Sequence, residues 1–268
     1  MDNSAKTIRQ KLLELTDGVV GTTTDIALLL LFSTITVTGA GGKSSYRIHQ
    51  AFDEAYRWHD QINYEQIKLA LGQLIRHGRV QRKRYSKTDI SITNLGLERI
   101  REILPTYHMS RPWDGHVYLI SYDIPIHANN ARNVLRTYIK KTGGALLQDS
   151  LWINPYNPTK LIDTFMNEKH ISGTVLISKL GKDGTIGDES LHALINRIYK
   201  LDELAKYYNE FILHYQHKPK ASSLEIMISF SKILKEDPQL PFPLLPRNFP
   251  SEKAYKIYTS LMKSYSKR

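Results

Sequence analysis

The chain has no cysteine among its 268 residues, which excludes a disulfide framework and any thiolate metal site. It also lacks a long apolar run: the longest, Ile26 to Phe32, falls far short of the roughly 20 residues a membrane helix needs. The opening MDNSAKTIRQ has none of the hydrophobic stretch that a secretory signal carries. These absences lead to the expectation of a soluble cytoplasmic protein with no membrane contact. Acids are scarce as well, 26 Asp and Glu against 37 Lys and Arg, for a net charge of +11. Such an excess favours a polyanionic partner, nucleic acid first, although net charge governs association rather than fold. No internal repeat occurs, and no serine, histidine and acid can be assembled into a catalytic triad from sequence.

Turn-forming residues divide what is present into three segments. Residues 1–112 hold helical patterns followed by a short basic hairpin, and end in MSRPWDG, where Pro112 and Gly115 make a linker. Residues 113–182 alternate strand and helix and close in the polar GKDGTIGDES. Residues 183–268 are helical apart from the proline-rich EDPQLPFPLLPRNFP. The expected fold class is α+β: an N-terminal winged helix-turn-helix, a central ferredoxin-like βαββαβ domain and a C-terminal helical domain.

In the first segment, Thr23 or Thr24 can cap a helix through Ala27, Leu28, Leu31 and Phe32, apolar nearly all round and hence buried. A second helix spans Tyr46 to about His59. A third starts at Asn63, with Gln66 placed to complete a capping box. Its Ile67, Ala70, Leu71, Leu74 and Ile75 share one face, and Gly78 sits where a left-handed C-terminal residue is wanted. The other face carries Tyr64, Gln66, Lys68, Gln73 and Arg76, donors and acceptors suited to base edges in a major groove. The following RVQRKRYSKTDISIT alternates as two short strands, with Arg79, Arg82, Lys83, Arg84 and Lys87 uninterrupted by an acid. Three helices and a basic hairpin in this order predict double-stranded DNA binding. Helix 63–77 reads bases, and wing 79–92 lies along phosphates through Arg82, Lys83, Arg84 and Lys87. The loop GAGGKSS from Gly39 to Ser45 is not a phosphate-binding loop, since the glycine required at position 37 is Val.

In the second segment, strand His116–Ile124, helix Asn129–Lys141, strands Ala145–Gln148 and Leu151–Asn154, a helix from Thr159 to Lys169 and strand Gly173–Lys179 spell βαββαβ. In that plait the first and third strands are neighbours, so Asp123 and the turn Gln148-Asp149-Ser150 approach one edge. Two carboxylates, Asp123 and Asp149, would suit Mg²⁺ and phosphodiester hydrolysis. The alternative is structural, with Asp123 closing the strand before Pro125 and Asp149 serving as a turn residue. The structural reading is preferred, with no catalytic residue, no metal and no cofactor expected. His214 and His217 lie one helical turn apart without a third ligand. Tyr199, Tyr207, Tyr208, Phe211 and Tyr215 form an aromatic stripe better suited to a core than to base stacking.

HVYLISYDIP, the pair Leu135-Arg136 and LLQDSLWINPY resemble the central domain of the PaaX family, repressors of phenylacetate-degradation operons. That domain is itself similar to the small ferredoxin-fold CRISPR-associated endonuclease of spacer acquisition. YKLDELAKYYNEFI, Tyr199 to Ile212, and EDPQLPFPLLPRNFPSEKAYKIY, Glu236 to Tyr258, resemble the family's C-terminal pattern. The resemblance implies a homodimeric winged-helix repressor that leaves its operator when a small effector binds, an aryl-acyl-CoA thioester in the founding case. It also supplies the alternative of a metal-dependent nuclease, or a non-catalytic relative, in CRISPR adaptation or another defence system. The chain departs from the family at Ile126, His127, Ala128, Asn129 and Asn130, where an acid and arginines are usual. It departs again at Phe249 and Ser251, in place of tryptophan and glycine. These departures bear on the effector more than on architecture, and the matched LLQDSLWINP and DPQLP residues read as fold and dimer elements.

Overall fold

The computed structural model describes residues 24–25, 27–29, 31–32, 64–82, 90–125, 129–180, 189–217, 221 and 223–266. The expected helix Tyr46–His59, the loop Gly39–Ser45 and the hairpin tip 83–89 lie outside them. Among the described residues the chain is mixed α+β, with two small antiparallel sheets. By contact density it forms two units, one of Met1–Tyr107, Tyr207–Glu236 and Pro250–Arg268, the other of His108–Lys206 and Asp237–Phe249. Among the described residues no helix is long and apolar enough to cross a membrane.

In the first unit Ala27, Leu28, Leu29 and Leu31 of the apolar run are helical and buried. Helix α1, Tyr64–Arg76, turns Ala70 and Leu74 into the same cluster, flanked by the partly buried Leu71 and Ile75. Strands β1, Val80–Arg82, and β2, Ile90–Ile92, pair antiparallel and bury Val80 and Ile90 there, and helix α2, Asn94–Ile103, adds Ile100 and Ile103. Helix α7, Ser223–Glu236, then supplies Leu224, Met227 and Ile228 to that cluster from far along the chain. Helix α8, Ser251–Ser266, contributes Tyr258 against it. Removing a fully buried side chain such as Leu74 from this core would cost about 3 kcal/mol.

The second unit holds β3 (Val117–Asp123), α3 (Asn129–Lys141), β4 (Ala145–Gln148), β5 (Leu151–Asn154), α4 (Thr159–Glu168) and β6 (Thr174–Leu180). The sheet order is β4-β5-β3-β6, all antiparallel, so the two helical crossovers skip a strand as the split βαβ pattern requires. Ile120, Tyr122 and Trp152 on one sheet face meet Leu135 and Ile139 of α3 and Ile162 of α4. Tyr138 stacks on Phe165 at 3.8 Å and 5°, tying the two helices together. Gly144 ends α3 where only glycine fits, since a Cβ would lie 2.4 Å from the Ile139 side chain.

The matched segments are consumed by this fold. Asn154 donates through Nδ2 to the Thr142 carbonyl (3.1 Å) and accepts from the Tyr156 amide (2.9 Å). Asp237 accepts from the Gln239 amide (2.7 Å), and Gln239 Oε1 accepts from the His108 amide (2.7 Å). Arg111 donates to the Leu240 carbonyl (3.0 Å) and lies 4.6 Å over the Phe242 ring. Helix α5, Leu191–Ile198, is followed by Tyr199, whose hydroxyl lies 2.9 Å from the Gly143 carbonyl and 3.1 Å from that of Ile153. Burial pushes that phenol well above the ordinary tyrosine range. Helix α6, Leu201–Tyr215, runs from this unit into the first one.

Candidate nucleic-acid interface

Helix α1 is sided as its sequence requires. Lys68, Gln73 and Arg76 are exposed while Ala70 and Leu74 are buried. The side chains of Tyr64 and Gln66 lie outside the described residues, as do Lys83, Arg84 and Lys87. Leu69 is 64% exposed, an apolar addition to the open face that the polar pattern did not single out.

The end of α1 is fixed by a Schellman turn. Gly78 takes φ +66°, its amide donates to Ile75 (3.0 Å), and the Arg79 amide donates to Leu74 (2.9 Å). The chain therefore reverses directly into β1, where Val80 faces Ile92 and Arg82 faces Ile90. Val80 points inward; Gln81 and Arg82 are exposed. Thr93 closes the assembly: its hydroxyl donates to the Gly78 carbonyl (2.6 Å) and accepts from the Gly96 amide as N-cap of α2 (3.2 Å). A Cβ on Gly96 would lie 2.2 Å from the Arg79 carbonyl oxygen, so α2 and the strand pair approach as only glycine permits. Helix α1, hairpin and α2 are thus one geometric piece.

An ion pair between a buried acid and a part-exposed arginine holds that piece to the helix that carries Asp25. Asp25 is 1% exposed and receives Nε (2.9 Å) and Nη2 (2.7 Å) of Arg99, with Arg79 at 4.0 Å. The Asp25 and Glu102 carboxylates raise the Arg99 guanidinium far above the ordinary arginine value. Arg79, part of the basic run, is thereby turned toward Asp25, whereas Arg82 is exposed. The signal for Asp25 was present in the sequence: an acid at the start of a helix apolar on all sides is carried into the core and needs a cationic partner.

Asp123 and Asp149 are both exposed. The β3–β5 ladder ends at Ser121 and Leu151; Asp123 pairs onward with Thr174 of β6, and Asp149 lies in the two-residue turn between β4 and β5. Asp149 has φ 39°, a left-handed turn position where aspartate is enriched. Among the described residues no group of three His, Cys, Asp or Glu side chains is arranged to hold a metal ion, and this includes His214 and His217. Tyr208, Phe211 and Tyr215 of the aromatic stripe are buried, with Tyr207 48% exposed.

Residues 110–191 match the family model of the PaaX protein central Cas2-like domain, and residues 199–268 match that of the PaaX-like protein C-terminal domain. The chain belongs to the PaaX family. The two matches cover more than half of it, and the second begins at Tyr199, the residue that pins the end of α5 to the sheet. No curated protein matches. Among solved structures, the uncharacterized protein Rv0674 from Mycobacterium tuberculosis is similar in fold at a TM-score of 0.54 and 18% identity, over 77% of this chain and 83% of that one. The N-terminal segment with α1 and its hairpin precedes both family matches, so its chemistry has to be argued from its own residues.

Proposed function

We propose that this PaaX-family chain is a sequence-specific regulator of transcription, a dimeric repressor that binds double-stranded DNA. In this reading residues 1–112 are a winged helix-turn-helix, 113–182 a ferredoxin-like domain and 183–268 a helical domain. Helix α1 lies in the major groove, with Lys68, Gln73 and Arg76 toward base edges and Tyr64 and Gln66 in its first turn. Arg82, Lys83, Arg84 and Lys87 of the wing neutralise phosphates, and the release of condensed counterions supplies most of the affinity. Dimerisation pairs two such heads on a near-palindromic site, and a small effector releases them.

The observation that carries the reading is the two-sided build of α1. Its apolar side is spent on the core and its polar side is open, at a fixed angle to an outward Arg82. The test is binding to a duplex selected from a random pool, measured by fluorescence anisotropy across a salt series. Arg82→Ala combined with Lys83→Ala should weaken binding to all duplexes alike and lower the log–log salt slope by about 1.8, roughly 0.9 per phosphate contact. An unchanged slope refutes the wing assignment.

A second reading, a metal-dependent nuclease or a non-catalytic relative in CRISPR adaptation or another defence system, draws on the match to a Cas2-like central domain and on the exposed Asp123 and Asp149. It is separated from the first by incubating the protein with plasmid and single-stranded DNA in Mg²⁺ or Mn²⁺.

A further inference from the structure

The open face of α1 carries two residues that a reading by polar side chains leaves unused, Leu69 and Gly72. Lys68, Leu69, Gln73 and Arg76 are exposed, while Ala70 and Leu74 are buried in the core. Leu69, Gly72, Gln73 and Arg76 stand at i, i+3, i+4 and i+7, so they form one stripe on the side of the helix turned away from that core. A single exposed leucine on a protein surface is ordinary. This one is 64% exposed inside a stripe of polar residues and lies three residues from a glycine with no role in the fold.

Glycine is among the least favourable residues inside a helix, yet a Cβ on Gly72 would meet nothing within 4 Å among the described residues. Every other described glycine has a reason inside the fold. Gly78, Gly115, Gly143 and Gly173 take positive φ, and Gly96 and Gly144 stand where a Cβ would lie 2.2 Å and 2.4 Å from a neighbour. Gly72 has neither reason, and the space it leaves opens along the stripe of Leu69. A bare patch of helix of this kind suits a surface that comes close to the backbone from outside. The DNA major groove is such a surface: it is about 12 Å wide and a helix with its side chains is about 10–12 Å across, so little room separates helix from groove wall. Of the groups on the major-groove edges, the C5 methyl of thymine alone is apolar. A leucine against that methyl buries apolar surface on both sides, whereas against any other base it covers a donor or acceptor without replacing its hydrogen bond.

We infer that Gly72 marks the closest approach of α1 to the DNA, and that Leu69, beside it on the same stripe, recognises thymine through its C5 methyl group. The inference rests on the DNA-binding reading and adds to it the base that the apolar position selects. Lys68, Gln73 and Arg76 around it are left for polar base edges and phosphates.

The test uses the full chain and the duplex selected from a random pool, with each thymine replaced in turn by deoxyuridine, which lacks only the methyl group. Fluorescence anisotropy should show at least one replacement that weakens binding about fourfold, the worth of one buried methyl-sized group. Leu69→Ala, at an exposed position that leaves the core intact, should bind the thymine and deoxyuridine duplexes alike. Gly72→Ala should bind the selected duplex about tenfold more weakly, the effect of one carbon too many in a close contact. Its urea midpoint should not fall, which separates a lost contact from a damaged fold. A selected duplex in which no thymine methyl matters, or a sensitivity that Leu69→Ala keeps, overturns the thymine contact. Gly72→Ala that binds as tightly as the native chain overturns the close approach. If the chain binds duplex and both results fail, the DNA-binding reading stands and the inference alone is wrong. If it binds no duplex, the reading fails and the inference with it.

Discussion

Replacing Arg99 should harm the first unit more than replacing the acid it pairs with, because the two partners differ in burial. Asp25 is 1% exposed and Arg99 32% exposed. In Asp25→Asn one amide oxygen replaces two carboxylate oxygens, so one bond is weakened and the other lost, but the guanidinium keeps Glu102 at 2.8 Å and regains water over its open third. That difference is about 1–2 kcal/mol. In Arg99→Met the Asp25 carboxylate stays out of water and loses both bonds, keeping Arg79 at 4.0 Å with its other contacts. Stripping a partner from a buried charge costs about 3–5 kcal/mol, and the part-exposed guanidinium points to the lower end, about 3 kcal/mol.

Urea unfolding followed by circular dichroism gives the two values, and hydrogen exchange of α2 amides assigns them to this unit. The double variant should cost less than the sum of the singles by about 1 kcal/mol or more, since a neutral amide at position 25 no longer needs the cation. Two outcomes refute the reasoning: Arg99→Met no more damaging than Asp25→Asn, or a double variant additive within about 0.5 kcal/mol.

Three further outcomes follow from local geometry. Gly96→Ala should cost about 3 kcal/mol because its Cβ would lie 2.2 Å from the Arg79 carbonyl, whereas Gly72→Ala in α1, with nothing within 4 Å, should gain about 0.5–1 kcal/mol; urea midpoints that do not diverge would contradict both. Tyr199→Phe leaves the carbonyls of Gly143 and Ile153 without their buried donor and should cost about 1–2 kcal/mol, so an unchanged midpoint in a denaturation series would show that the hydroxyl holds nothing. Plasmid and single-stranded DNA should stay intact in Mg²⁺ or Mn²⁺; cleavage that Asp123→Ala abolishes would reverse the ranking of the two functional readings.

Much of the local structure was legible because its causes are local. The alternation around β3, the double glycine after α3 and the sidedness of α1 each follow from spacing within a few residues, and Gly78 takes the left-handed turn its position calls for. What was not legible depends on residues distant in sequence. Tyr107 stacks on Tyr255 at 4.4 Å and bonds Ser251, and Leu224 joins Ala27 in one core, pairings that no periodicity announces. For the same reason the segments 1–112, 113–182 and 183–268 differ from the two compact units, since helices late in the chain complete a core begun early.

The departures from the family can now be weighed by what their residues do. Ser251, where glycine is usual, is 1% exposed and its Oγ lies 3.2 Å from the Tyr107 hydroxyl, so the change is absorbed inside the aromatic core of the first unit. The matched residues Asn154, Asp237, Gln239 and Leu240 are engaged with their own unit, and a side chain already holding a backbone turn has little left for a ligand. In the proposed effector-released repressor, a difference in ligand from its relatives therefore has to be sought where side chains meet open space and carry unneutralised charge.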